Sequence, residues 1–204
     1  MVYTRILFCD YYGVLSYNKF WSTISNPKHT YYPFHSKIIH YLSIENPHII
    51  NEWMIGEYTL EEIHTLLIKQ TGIPYDFILK TFRDECKKLD VSEELLRKII
   101  TLKDSYYRIL ATGNMDSFNR YTLPANPLMH EAFDEINNSY DLGILKTTEN
   151  GKYFSQKCKE LGVPIESSIL IDDAKENCSI FSKLGGTAYC VTGIENVQAV
   201  LDNL

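Results

Sequence analysis

The chain has 204 residues, 45% of them hydrophobic, which is enough for one well-packed core and a small second lobe. Twenty Lys and Arg against 26 Asp and Glu give a net charge of −6 without a basic cluster, which argues against nucleic acid or an anionic membrane surface as the main partner. Five widely spaced cysteines without a CxxC pair, and an N-terminus without a signal pattern, indicate a reduced, cytoplasmic protein with no zinc site.

A short apolar run near the N-terminus, Ile6–Cys9, ends at a single carboxylate, Asp10, and Gly13 follows three residues later. The run is continuous rather than alternating, as in a central strand of a parallel sheet that is covered on both faces. In open α/β sheets the ligand crevice lies outside the carboxyl ends of the strands, which favours a functional role for Asp10. On this stretch alone, a turn acid before Gly13 is an equally good interpretation.

Helical patterns replace strand patterns for roughly 75 residues after Leu15. Apolar positions recur at helical spacing in four stretches, which are separated by proline, by glycine and by a capping-box pattern at Thr59 and Glu62. We therefore predict a four-helix lobe, residues 16–89, inserted between the two parts of one core, residues 1–15 and 90–204.

From Asp90 onward, helices and strands alternate. Asp90 and Glu93 are placed to cap the first helix. Strands are predicted at residues 107–111, 168–171 and 187–191, and a short strand or turn at residues 133–136. This alternation predicts an α/β fold with a Rossmann-like parallel sheet core.

Three of the predicted strands end, in chain order, at Asp10, at Thr112 and at the pair Asp172 and Asp173, and Lys146 lies between the second and the third. Because parallel strands bring their carboxyl ends to one edge of a sheet, these side chains can share a crevice. They fit one chemistry: a carboxylate nucleophile, a hydroxyl and an ammonium that hold a substrate anion, and two further acids that bind Mg²⁺ through oxygen. Taken singly, each has an ordinary structural explanation, such as a helix cap or a solvated lysine.

In this order the motifs resemble those of the haloacid dehalogenase-like hydrolase superfamily, and the resemblance covers the whole chain. The motifs are Asp10-Tyr-Tyr-Gly-Val-Leu, Leu110-Ala-Thr-Gly-Asn, Gly143-Ile-Leu-Lys, and Ile169-Leu-Ile-Asp-Asp with Glu176-Asn177. The predicted helical lobe likewise resembles the family's α-helical cap, which closes over the crevice and selects the substrate.

The resemblance implies Mg²⁺-dependent hydrolysis of a small phosphorylated metabolite through an aspartyl-phosphate, with Asp10 as the nucleophile and Thr112 and Lys146 as its catalytic partners. The implied substrate-binding residues are Thr112, Gly113, Asn114 and Lys146. The implied metal ligands are Asp10, Asp172, Asp173 and the backbone carbonyl of Tyr12.

Tyr12 departs from the pattern of most phosphatases in the family. These carry a second aspartate two residues after the nucleophile, where it protonates the leaving oxygen and then activates water. A tyrosine, with an unperturbed pKa of about 10, cannot do both near neutral pH. A catalytically weakened or purely ligand-binding member is therefore one alternative.

The 2-haloacid dehalogenase branch is the other alternative, since it resembles this chain in having tyrosine at the position of Tyr12. A halide leaves without a proton, so no acid is needed there. However, that branch uses a cap arginine and no metal, whereas this chain has no arginine between Arg5 and Arg83. Two adjacent strand-end acids would also repel each other without a cation, which favours the Mg²⁺ phosphatase.

Overall fold

A computed structural model describes residues 3–204; residues 1 and 2, where the predicted core begins, lie outside that range. The strands are β1 Ile6–Cys9, β2 Tyr107–Thr112, β3 Glu135–Asn138, β4 Ile169–Asp172 and β5 Thr187–Cys190. They form one parallel sheet in the order β3-β2-β1-β4-β5. The α/β fold with a Rossmann-like parallel sheet, predicted from the alternation of elements, is therefore confirmed.

Helices occupy the intervals between the strands. They are α1 Tyr32–His40, α2 Ile49–Met54, α3 Leu60–Thr71, α4 Tyr75–Lys87, α5 Glu93–Thr101, α6 Leu123–Ala125, α7 Met129–Ala132, α8 Ser139–Leu142, α9 Lys152–Leu161, α10 Lys175–Lys183 and α11 Ile194–Leu201. The capping box predicted at the start of α3 is present. None of the helices within residues 3–204 combines the length and the apolar character that crossing a membrane requires.

The predicted cap of α5 is wrong. Ser92 immediately precedes the helix, and its hydroxyl accepts a hydrogen bond from the backbone N–H of Leu95. The capping position therefore lies two residues after Asp90, and Glu93 is the first residue of the helix itself.

The strand order makes β1 the centre of the sheet. The chain builds β2 and β3 on one side of β1 and then β4 and β5 on the other side. This reversal creates a topological switch point, where ligands bind outside the carboxyl ends of the strands. All four residues of β1 are fully buried, as its continuous apolar run predicts. Asp10, the next residue, therefore lies at the switch point.

Alternate side chains of β1 pack into two different hydrophobic clusters. Leu7 and Cys9 lie on the face that α5 and α11 cover, and Ile6 and Phe8 lie on the face that α9 and α10 cover. The ring of Phe8 meets that of Phe154 edge to face, with the centroids 5.2 Å apart. Because both faces hold β1 in place, core packing sets the position of Asp10.

Helices α1 to α4 pack around a third cluster, which includes Trp53 and Phe82. Met115, from the segment that follows β2, also packs into this cluster and links it to the sheet. Residues 16–89, for which four helices were predicted, thus contain the four α-helices α1 to α4. The division of the chain into a lobe of residues 16–89 and a core stays a prediction.

His64 of α3 is fully buried in the third cluster beside the rings of Trp21 and Phe82. Its Nδ1 atom lies 2.8 Å from the carbonyl oxygen of Leu60. Burial lowers the pKa of His64 to about 4, whereas a histidine in the unfolded chain has a pKa of about 6.5. The unfolded state therefore takes up this proton first, and stability that is present above about pH 6.5 is lost as the pH falls toward 4.

We expect His64→Leu to remove part of the sensitivity of the protein to acid. Between about pH 6.5 and about pH 4.5, the free energy of unfolding should fall more steeply for the wild type than for the variant, by up to about 1.4 kcal/mol per pH unit. Urea unfolding at each pH measures both slopes. His48→Gln, at an exposed histidine, is the control and should keep the wild-type slope. Parallel slopes for the wild type and His64→Leu would contradict the prediction.

Candidate active site

Four of the predicted site residues converge at the carboxyl edge of the sheet. Asp10 directly follows β1, Thr112 and Asp172 are the last residues of β2 and β4, and Lys146 lies in the loop after α8. All four are buried. They meet because β1 pairs with both β2 and β4.

Lys146 lies at the centre of this group. Its Nζ atom is 2.9 Å from Oδ2 of Asp10 and donates a hydrogen bond of 2.5 Å to Oδ2 of Asp172. Burial opposes the charge of Lys146, but the two carboxylates outweigh burial and raise the pKa of the ammonium. Burial also raises the pKa of Asp10 to about 7, against the attraction of Lys146. Lys146 therefore stays charged, and a further positive group would favour the ionised form of Asp10.

A third acid, Asp173, completes a carboxylate cluster. Asp10, Asp172 and Asp173 each offer one oxygen, and these atoms lie within 4.8 Å of one another. Burial and the neighbouring Asp172 raise the pKa of the partly exposed Asp173. Three carboxylates facing one ammonium leave negative charge in excess. All the donors are hard oxygen atoms, so the residues present fit a Mg²⁺ ion.

The turn after Asp10 is shaped by its contact with Asp173. Gly13 has a φ of +79°, and a Cβ atom at this position would lie 2.2 Å from Oδ2 and 2.8 Å from Cβ of Asp173. Glycine is therefore needed both for the left-handed backbone and for the close approach. The role of the Tyr12 carbonyl as a metal ligand stays a prediction.

Asn177 belongs to the site, although sequence reasoning gave it no role. Its Nδ2 atom donates to both carboxylate oxygens of Asp172 at 3.0 Å, and the N–H of Ala174 donates to Oδ1 at 2.8 Å. These donors fix the orientation of Asp172. The sequence feature that could have indicated this role is an amide side chain in the first turn of the helix that follows Asp172 and Asp173. Glu176, the other residue of that motif, is exposed.

The hydroxyl of Thr112 is buried, and among residues 3–204 it has no hydrogen-bond partner. A buried polar group without a partner is costly, so this hydroxyl is suited to bind a ligand. Asn114, in contrast, donates its backbone N–H to Ser139 Oγ and accepts from the backbone N–H of Met115. Substrate binding by Thr112, Gly113 and Asn114 therefore stays a prediction, and the buried hydroxyl of Thr112 without a partner supports it for that residue.

The side chain of Tyr12 is 43% exposed, in contrast to the buried site residues. Tyr17, on the same segment, is 40% exposed, and its hydroxyl lies 3.3 Å from the carbonyl oxygen of Val14. Two aromatic side chains thus face solvent shortly after the nucleophile candidate.

The fold and these side chains define an α/β protein with a lysine and carboxylate centre at the switch point of its sheet. A comparison with protein-family models finds no match for the sequence, and a comparison with curated proteins finds none either. Solved structures match over nearly the whole chain and show that it has the fold of haloacid dehalogenase-like (HAD) hydrolases. The resemblance seen in the motifs is thereby confirmed at the level of the fold.

Three solved structures illustrate the similarity. A HAD family enzyme from Bacteroides thetaiotaomicron, in complex with magnesium and inorganic phosphate, matches with a TM-score of 0.70 and 20% identity, over 92% of this chain and 93% of that chain. A predicted HAD-like family hydrolase from Porphyromonas gingivalis matches with a TM-score of 0.72 and 20% identity, over 100% and 98%. The L-2-haloacid dehalogenase from Xanthobacter autotrophicus, with chloropropionic acid covalently bound, matches with a TM-score of 0.58 and 11% identity, over 91% and 76%.

We expect Mg²⁺ to raise the melting temperature of the wild type, and we expect Gly13→Ala to displace Asp173 and thereby to abolish that rise. Rotation of the carboxylate alone does not relieve the clash, because the Cβ atom of Asp173 is also too close. Gly72→Ala is the control, since its φ is +77° and nothing lies within 4 Å of the added Cβ. Both variants carry the left-handed strain of about 1–2 kcal/mol. Thermal unfolding with and without Mg²⁺ measures the difference, and an equal response of both variants would contradict the prediction.

Proposed function

We propose that the protein is a Mg²⁺-dependent phosphatase that hydrolyses a small phosphorylated metabolite through an aspartyl-phosphate on Asp10. The observation that carries this proposal is the cluster of three carboxylates beside one buried lysine and one buried hydroxyl without a partner. The acids attract a cation, while Lys146 and Thr112 attract an anion. The Bacteroides enzyme of the same fold was solved in complex with magnesium and inorganic phosphate, which supports both the proposed cation site and the proposed anion site.

Asp10, Asp172 and Asp173 would hold the Mg²⁺ ion, with the carbonyl of Tyr12 as a further oxygen donor. When bound, Mg²⁺ neutralises the clustered carboxylates and attracts the negative charge of a phosphate group. Asn177 would keep Asp172 in its orientation, because it donates to both oxygens of that carboxylate.

The reaction begins when one carboxylate oxygen of Asp10 attacks the phosphorus. The bond between the phosphorus and the ester oxygen breaks, and the electron pair leaves with that oxygen, which then takes up a proton. Lys146 favours the ionised form of Asp10 against the effect of burial, and together with the hydroxyl of Thr112 it stabilises the negative charge of the phosphoryl oxygens. Water then attacks the phosphorus of the aspartyl-phosphate, which releases inorganic phosphate and restores the Asp10 carboxylate. Closure of the cap formed by α1 to α4 would exclude bulk water during the transfer.

Tyr12 limits the rate of this reaction. It stands where most phosphatases with these motifs have a carboxylic acid that protonates the leaving oxygen. A phenol is a much weaker acid than a carboxylic acid and a poorer shuttle for protons near neutral pH. The proposal therefore includes slow turnover of esters whose leaving oxygen needs a proton.

A 2-haloacid dehalogenase is the second candidate, and Tyr12 is the observation that favours it. The fold similarity to the Xanthobacter dehalogenase is compatible with it. The clustered carboxylates count against it, because they repel the carboxylate of a haloacid. In either case we expect a small-molecule substrate, no nucleic acid or membrane partner, and a cytoplasmic location.

We expect Asp10→Asn to lower the hydrolysis of p-nitrophenyl phosphate in the presence of Mg²⁺ by at least about 1,000-fold, because the amide is not a nucleophile. EDTA should abolish the activity of the wild type. Asp104→Asn, at an exposed aspartate, is the control and should keep full activity. Activity that is unchanged by Asp10→Asn contradicts the proposal, and halide release from a 2-haloacid without metal identifies the dehalogenase instead.

We expect Tyr12→Asp to raise kcat for an alkyl phosphate by about 100-fold or more, because the new carboxylic acid can protonate the leaving oxygen. The gain should be much smaller for p-nitrophenyl phosphate, whose leaving group departs without a proton. Tyr17→Asp is the control, since it adds a carboxylate at the other exposed tyrosine of this segment. An equal gain from both variants, or equal gains for both substrates, would show that Tyr12 does not limit proton transfer.

A further inference from the structure

A buried carboxylate outside the acid cluster joins the helices α1 to α4 to the segment after β2. Asp116 follows Thr112 by four residues and is 6% exposed. Its Oδ1 atom accepts from Nε1 of Trp53 at 2.9 Å, and its Oδ2 atom accepts from the backbone N–H of Leu60 at 3.1 Å and from Nη1 of Arg120 at 2.8 Å. Two of these three donors belong to the helices inserted after β1.

The donors Trp53 and Leu60 flank residues 54–59, which run from the last residue of α2 to the residue before α3; this segment is the α2–α3 connection. Trp53 precedes the last residue of α2 and is fully buried. Leu60 is the first residue of α3, where the backbone N–H groups have no partner within the helix and favour negative charge. One carboxylate therefore fixes both ends of the α2–α3 connection.

The α2–α3 connection lies against the turn that follows Thr112. Ser139 Oγ donates to the carbonyl oxygen of Met54 at 2.7 Å and accepts from the backbone N–H of Asn114 at 3.0 Å. The Sδ atom of Met54 lies 3.8 Å from the point that a Cβ atom on Gly113 would occupy. The position of the connection and the position of the Thr112 turn are therefore coupled.

We propose that Asp116 is a positioning residue: it holds the α2–α3 connection against the Thr112 turn and thereby completes the substrate-anion site. Asp116 makes no hydrogen bond to Asp10 or Lys146. It acts through the turn whose Thr112 hydroxyl would hold the phosphate group, so we expect its larger effect on the affinity for the substrate. The predicted effect of Asp116 on substrate binding rests on the proposed function. Its effect on the position of the α2–α3 connection rests only on the hydrogen bonds of Asp116 and does not depend on that function.

Arg120 also donates to Glu61 at 2.7 Å, and Arg83 donates to Glu61 at 3.2 Å. Glu61 and its two partners are each more than a third exposed. The outer part of the network can thus be altered without changing any hydrogen bond of Asp116 to the α2–α3 connection, and Glu61→Gln is a matched control.

The test uses Asp116→Asn, which keeps the shape of the side chain but turns an amide NH₂ toward at least one hydrogen-bond donor. We expect KM for p-nitrophenyl phosphate to rise about 10-fold or more while kcat changes less than about 3-fold. Hydrogen exchange of peptides that cover residues 54–59 should accelerate. Trp53→Phe, which removes one of the three donors and keeps a smaller aromatic ring in the buried position, should give a smaller change in the same direction if Asp116→Asn folds poorly.

Two controls separate positioning from general stability. Glu61→Gln removes the outer charge, and Asp134→Asn weakens the pair of Asp134 with the buried Arg108, which lies elsewhere in the core. Neither should change KM or the exchange of residues 54–59. The inference is overturned if Asp116→Asn and Trp53→Phe behave as these controls do, or if exchange accelerates while KM is unchanged.

Binding of inorganic phosphate with Mg²⁺, measured by calorimetry, distinguishes failure of this inference from failure of the proposed function. A wild type that neither hydrolyses p-nitrophenyl phosphate nor binds phosphate overturns the proposed function, and with it the role of Asp116 in substrate binding. A wild type that binds phosphate and loses no affinity on Asp116→Asn overturns only the positioning role.

Discussion

The site depends on one buried ammonium. Lys146 lies between Asp10 and Asp172, and all three side chains are almost entirely removed from water. Burying a charged group costs several kcal/mol, which only close pairing with good geometry offsets. Without the lysine, two acids from neighbouring parallel strands would repel each other at the edge of the sheet. Asn177 then fixes one of these acids by donating to both of its oxygens, so the triad has a single arrangement.

The sheet could be predicted from the sequence wherever both of its faces are covered. β1, β2 and β4 contain continuous apolar runs because each is buried between two layers of helices. β3, at the edge, has a polar sequence, and its pattern fits a turn as well as a strand. The strand-end residues Asp10, Thr112 and Asp172 could be predicted for the same topological reason, since parallel strands end at one edge. Lys146 could be predicted only from the order of the motifs, because a lone lysine is typical of a solvated surface.

The contacts that the sequence did not reveal are polar and join distant parts of the chain. Trp53 and Asp116 are separated by 63 residues, and Arg108 and Asp134 by 26 residues. Arg108 lies in an otherwise apolar strand and is buried because Asp134 neutralises it. In the sequence, the hydrophobic pattern does not distinguish Asn177 from other helical residues. In the structure, the packing of α10 directs its amide toward Asp172. Hydrophobic periodicity shows which face of an element is buried, but it does not show which polar groups meet there.

The two candidate reactions, phosphate hydrolysis and dehalogenation, differ in which substrate the site would bind and in whether the leaving group needs a proton. Charge decides what binds: the carboxylate cluster repels a haloacid and, once balanced by a cation, favours a phosphate that carries more negative charge. In the proposed phosphatase, Tyr12 would affect only the proton that the leaving oxygen needs, and that effect would lie in the barrier rather than in the affinity. An electrostatic mismatch excludes a ligand from the site, whereas a missing general acid slows the reaction of a ligand that is already bound. We therefore assign the substrate class from the acid cluster rather than from Tyr12. We expect Tyr12 to act mainly on the rate.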